Sequence, residues 1–109
     1  MYTSISNLEF KTSVFADTFF SVIKHNIDIK IWCYEAFWIY EYHNIFENSI
    51  HIHYKDSYNK KLKLILTKEE NIIKAETIVD YKDRENNSEA YVFIDAFQEK
   101  MFEIYFLNE

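Results

Sequence analysis

The sequence predicts an α+β fold in which an N-terminal helix packs on a curved antiparallel β-meander of about five to six strands. Three observations predict it. Apolar residues between Ser13 and His25 recur at helical spacing. From Ile27 onward the period falls to two, as in half-buried strands. The alternating runs are joined by short polar stretches, which suit antiparallel neighbours and not parallel crossovers. The 109 residues fit one domain spanning 1–109, and 49% hydrophobic content supplies a core that needs neither disulfide nor metal.

Each element follows from its residues. In the helix, Phe15, Phe19, Val22 and Ile23 share the inward face, while Asp17, Thr18, Ser21 and Lys24 point to water. Thr12 or Ser13 caps its start, and Asn26 suits a left-handed stop. Between Ile27 and Tyr42, Ile27, Ile29, Ile31, Cys33, Phe37 and Ile39 lie on one side of a strand. Trp32, Tyr34, Trp38, Tyr40 and Tyr42 lie on the other. Ile50, Ile52 and Tyr54 then oppose His51 and His53, and Leu62, Leu64 and Leu66 oppose Lys61 and Lys63. Ile73, Ala75, Thr77, Val79 and Tyr81 oppose Lys74, Glu76 and Asp80. Ala90 to Phe97 and Met101 to Leu107 read as two further strands, rich in strand formers. The competing reading is one helix from Glu89 to Leu107, because Phe93, Phe97, Met101, Ile104 and Tyr105 also fit helical spacing.

Absent residues exclude whole chemistries. There is no glycine and no proline, where average usage would place about 13. Phosphate-cradling loops, the hydrolase nucleophile elbow and the EF-hand all need glycine for a close backbone approach or a sharp turn. Asn and Asp are therefore expected at positive-φ turn positions. A lone Cys33 excludes an internal disulfide and suits a reducing cytoplasm. No signal peptide is evident at Met1 to Phe10, and no run is long enough to span a bilayer. The plentiful Lys, Ile, Asn, Tyr and Phe share AT-rich codons, which points to an AT-rich bacterial, phage or mobile-element genome.

Three groups are candidates for site chemistry. His51 and His53 share a strand face and are spaced to chelate one ion, with His43 nearby and a third ligand to come from Glu47, Glu41 or Cys33. No standard metal spacing supplies that ligand, so solvated strand histidines are the plainer expectation, and no cofactor is expected. Cys33 beside Ile31 reads as a small buried hydrophobe. Glu35, at an apolar-facing position between Cys33 and Phe37, would have a raised pKa if buried, or returns to water at a bulge.

Charge is uneven. Residues 55–68 hold five lysines and one aspartate, whereas 69–109 hold eleven acidic and four basic residues. With one arginine in an acidic chain, the lysines read as solubilising edge residues, and nucleic acid is not expected. Asp80, Asp83, Glu85, Glu89, Asp95, Glu99 and Glu103 form a field suited to a basic partner. Trp32, Tyr34, Trp38, Tyr40 and Tyr42 are either aromatic anchors for that partner or a second wall of the core.

In size, acidity and AT-rich character the chain resembles, at class level, the small immunity proteins of bacterial contact-dependent (polymorphic) toxin systems. The resemblance implies a non-catalytic inhibitor that binds a cognate toxin, often a basic nuclease, and blocks its active site. The alternatives are a cystatin-like or NTF2-like cup for a small molecule, lined by Glu35, Trp32, Tyr34 and Trp38, or a phage anti-defence protein mimicking DNA charge. The first needs a pocket of several hundred Å³; the second needs carboxylates in paired rows.

Overall fold

In a computed structural model the described residues are 2–33, 36–56, 59–79 and 88–107, with backbone alone at 2–3, 32–33, 36–37 and 88–92. The fold is α+β, with two helices and six antiparallel strands among the described residues. β1 (Tyr2–Glu9) is followed by α1 (Ser13–His25), β2 (Ile31–Cys33), β3 (Ala36–Ile45), β4 (Ser49–Lys55), β5 (Lys61–Glu69), β6 (Ile72–Val79) and α2 (Ser88–Leu107). The sheet order is β1-β6-β5-β4-β3-β2. β2 through β6 form a meander, and β1 extends the sheet at its β6 side, pairing from Tyr2↔Val79 to Glu9↔Ile72.

Alternation along β4, β5 and β6 sorts the two faces as the sequence pattern predicts. Ile50, Ile52, Tyr54, Leu62, Leu64, Leu66, Ile73, Ala75, Thr77 and Val79 are all buried under the helices. α1 occupies its expected span. The Thr12 hydroxyl accepts from Phe15 N, and Lys24 and His25 in the last turn complement the helix dipole. Its inward stripe is rotated from the expected one: Ala16, Phe19, Phe20 and Ile23 are buried, while Phe15 is 48% exposed. Asn26 ends the helix at φ −132°, outside the left-handed region, with its side-chain amide donating to the Val22 carbonyl.

Positive φ occurs at Asn59, as expected for a chain without glycine, but also at Glu70 in the two-residue β5–β6 turn. Neighbours hold that turn: Phe10 N donates to Asn71 O, and the Asn71 amide returns a bond to Phe10 O. At the β4–β5 turn the buried Asp56 carboxylate accepts from Lys60 N at 2.8 Å, and Asp56 N donates to Lys60 O.

Three further expectations are corrected. The stretch Ile27 to Tyr42 is not one strand: Cys33 pairs with Ala36 and Ile31 with Trp38, so the chain reverses between β2 and β3. Reversal resets the parity of the alternation, which puts both Ile31 and Trp38 on the buried face and leaves Ile39 44% exposed. The two C-terminal strands are instead the single helix α2. Phe93, Phe97 and Met101 form an i, i+4 ridge that is at most 1% exposed, and this ridge fits the sheet as a helix face. Finally, β1 was not expected. Its inward residues are Ser4, Ser6 and Leu8, too polar to advertise a strand.

The core is a single cluster between the sheet and both helices. Phe93 stands edge-on to Trp38 and Tyr54, and Phe19 of α1 meets Phe102 and Tyr105 of α2 with ring centroids 4.7 and 5.7 Å away. Small residues on β1 and β6 (Ser4, Ala75, Thr77) let α2 approach closely, and the Gln98 amide reaches across to the Ser6 hydroxyl at 3.1 Å. No described helix is long and apolar enough to cross a membrane.

Candidate functional site

The acidic residues expected to meet a partner are partly gathered by α2. Asp95, Glu99 and Glu103 are four residues apart, so they stack on one helix face, and all three are exposed. That face lies opposite the Phe93–Phe97–Met101 ridge and therefore points away from the sheet. Phe106 continues the same stripe at 62% exposure, stacked on Phe102, and Leu107 beside it is 76% exposed. The outer face of α2 is thus a row of carboxylates ending in an uncovered aromatic. Sequence reasoning missed Phe106 as a surface residue because a strand reading assigned no helical stripe. Glu89 falls in the first turn of α2, placed as backbone only. Asp80, Asp83 and Glu85 lie outside the described residues, as do Tyr34 and Glu35.

The aromatic candidates do not form one surface. Trp38 is 1% exposed and belongs to the core, so it is not an anchor for a partner. Trp32 is placed as backbone opposite Phe37. Tyr40 and Tyr42 were expected on a common face, and a β-bulge at Glu41 separates them. Tyr40 pairs with buried Tyr54 and packs on the core, its hydroxyl 2.7 Å from His43 Nδ1. Tyr42 pairs with His53 on the open face of the sheet and is 52% exposed.

On that open face His51 and His53 stand two residues apart as expected. His43 is cross-strand from Ile52, whose side chain is on the helix side, so it does not join them. No group of three or more His, Cys, Asp or Glu residues with metal-holding geometry occurs among the described residues. Instead the Tyr42 ring lies flat on His53, with centroids 4.1 Å apart and planes 10° from parallel, and Phe46 leans on His51 at 4.8 Å. Partial burial, and then the Lys63 ammonium, hold both imidazole pKa values below the ordinary 6.5. The unfolded chain therefore binds more protons than the folded one once the pH falls below about 6.5, so protonation favours unfolding. Stability contributed by these neutral rings is complete above that pH and is lost as pH falls through their lowered folded values. Urea unfolding at about pH 7.5 and pH 5.5 should show a larger acid-side loss for the native sequence than for a His51→Gln/His53→Gln variant; equal losses would contradict the assignment.

Among the described residues, the void between the sheet and the helices is small. A void between the sheet and helices, lined by Leu8, Phe19, Ile23, Leu66, Ile73, Ala75, Phe97 and Gln98, measures about 10 Å³, at the lower limit for one water. Trp38, which a ligand-binding cup would present to its contents, is packed against Phe93. Comparison with known proteins finds no family model, no curated protein and no solved structure that matches this chain.

Proposed function

We propose that the protein is a non-catalytic inhibitor that binds a basic protein partner through the outer face of α2, in the manner of an immunity protein neutralising a cognate toxin in the cytoplasm. The observation that carries this reading is the exposed stripe Asp95, Glu99, Glu103 and Phe106. Carboxylates repeated along a rigid helix accelerate the docking of a basic surface, and an exposed aromatic at the end of the row supplies the apolar anchor that such interfaces centre on. A toxin active site built to hold phosphate would present the complementary charge. Asp95, Glu99 and Glu103 form a single row on α2, which fits a protein partner better than the paired rows that mimicry of DNA would require.

The test is a neutralisation assay with the purified product of the adjacent upstream gene, the toxin this reading expects. The native chain should abolish its activity at equimolar ratio. The variant Asp95→Lys/Glu99→Lys/Glu103→Lys, with unchanged circular dichroism, should associate about 10- to 100-fold more slowly at low salt. Absence of protection by the native chain, or a charge-reversed variant that protects equally well, would overturn the reading.

A further inference from the structure

Across the molecule from the acidic helix, the β3–β5 part of the open sheet face gathers Lys55, Lys61 and Lys63 against Glu41. Register sets His53 of β4 against Lys63 of β5, and Lys55 against Lys61. The bulge at Glu41 turns Tyr42 onto the same face, where its ring stacks on that of His53. Glu41, Tyr42, His53, Lys61, Lys63 and Ile78 help to line an open concavity of about 390 Å³. The Glu41 carboxylate is held by the Lys61 ammonium at 2.9 Å, whereas Lys55 and Lys63 form no ion pair with a described residue.

We propose that this concavity binds a phosphorylated small molecule carrying a flat ring, of the size of a nucleoside monophosphate. Its volume falls within the roughly 300–1,000 Å³ of small-molecule sites. Tyr42 is 52% exposed, so its ring offers area for a second planar group to continue the Tyr42–His53 stack. Lys63 in the lining is a flexible point charge suited to a phosphoryl group, and the imidazole of His53 adds a donor. Lys55 and His51 stand beside the lining on the same face. Glu76 of β6 also belongs to this face, with Lys74 two residues away, and the Glu41 charge is already compensated by Lys61. The acidic stripe of α2 lies on the far side of a molecule at least 22 Å thick. That distance exceeds the Debye length of about 8 Å at physiological salt, so the net charge of −6 does not decide the local field. The site is independent of the partner surface on α2, and either can stand without the other.

Titration with adenosine 5′-monophosphate, adenosine and inorganic phosphate, followed through the His51 and His53 ring resonances, tests the proposal. The monophosphate should shift both resonances saturably, and more tightly than adenosine or phosphate alone. Lys63→Ala and Tyr42→Ala should each weaken it by about 10-fold or more. The α2 charge-reversed variant should bind it as the native chain does. Circular dichroism and thermal melting of each variant separate lost binding from lost folding. No saturable shift up to about 10 mM monophosphate would overturn the proposal. So would phosphate binding as tightly as the monophosphate, or affinity unchanged by both Lys63→Ala and Tyr42→Ala.

Discussion

Trp38→Ala is expected to lower the free energy of unfolding by about 3–5 kcal/mol, the range for removing a large buried aromatic. Trp38 is 1% exposed, stands opposite Ile31 in the β2–β3 hairpin and meets the Phe93 ring edge-on. Truncation removes a contact between the β2–β3 hairpin and α2, and the surrounding rings cannot close the gap without leaving their own contacts. In a domain whose whole stability is on the order of 5–15 kcal/mol, a loss of that size takes a large share of it. An anchor on the surface would behave differently: its truncation would shift stability by about 0.5 kcal/mol or less and act on partner affinity instead. Urea unfolding followed by far-ultraviolet circular dichroism distinguishes the two. A loss below about 1 kcal/mol would return Trp38 to the surface. Ile39→Ala, one residue along and 44% exposed, is the matched control.

The contrast between Trp38 and Ile39 shows what local pattern conveys and what it does not. Where a strand is regular, as in β4 and β5, each residue announces its face, and His51, His53 and Lys63 were legible as neighbours on open ground. The span of α1 was equally legible, because one capping threonine and 13 residues at helical spacing decide it. Its buried stripe was not, since Phe15 is exposed and Phe20 takes the inward place. Two local events defeat the pattern in the aromatic stretch. The β2–β3 reversal and the bulge at Glu41 each shift the parity by one, and with no glycine or proline in the chain neither is marked in the sequence. The carboxylates of α2 were identified singly, but their alignment into a stripe with Phe106 depends on the helix, and its aromatics satisfy strand propensity as readily as helical spacing. β1 was hidden for a different reason: its register partner β6 lies some seventy residues later, and its inward serines serve the close seating of α2.

Gln98→Pro makes the choice between helix and strands measurable. Residue 98 lies near the middle of α2, where proline removes a backbone hydrogen bond and its ring collides with the carbonyl of Ile94 one turn earlier. The expected cost is about 3 kcal/mol or more, together with a loss of helical circular dichroism. Were 90–97 and 101–107 two strands, residue 98 would open the connecting turn, a position that accepts proline with little penalty. Gln98→Ala separates the backbone effect from the side chain, since it removes only the bond to the Ser6 hydroxyl and should cost about 0.5–1.5 kcal/mol. A proline variant no less stable than the alanine variant would rule out the continuous helix. The consequence reaches the proposed partner surface as well. Beyond residue 98, Met101 and Tyr105 fix the second half of α2 to the core and to Phe19. A break there would turn Glu103 and Phe106 away from Asp95. A chain that stayed folded with α2 interrupted would therefore keep each carboxylate yet lose the row, and its association with a basic partner should slow as it does on charge reversal.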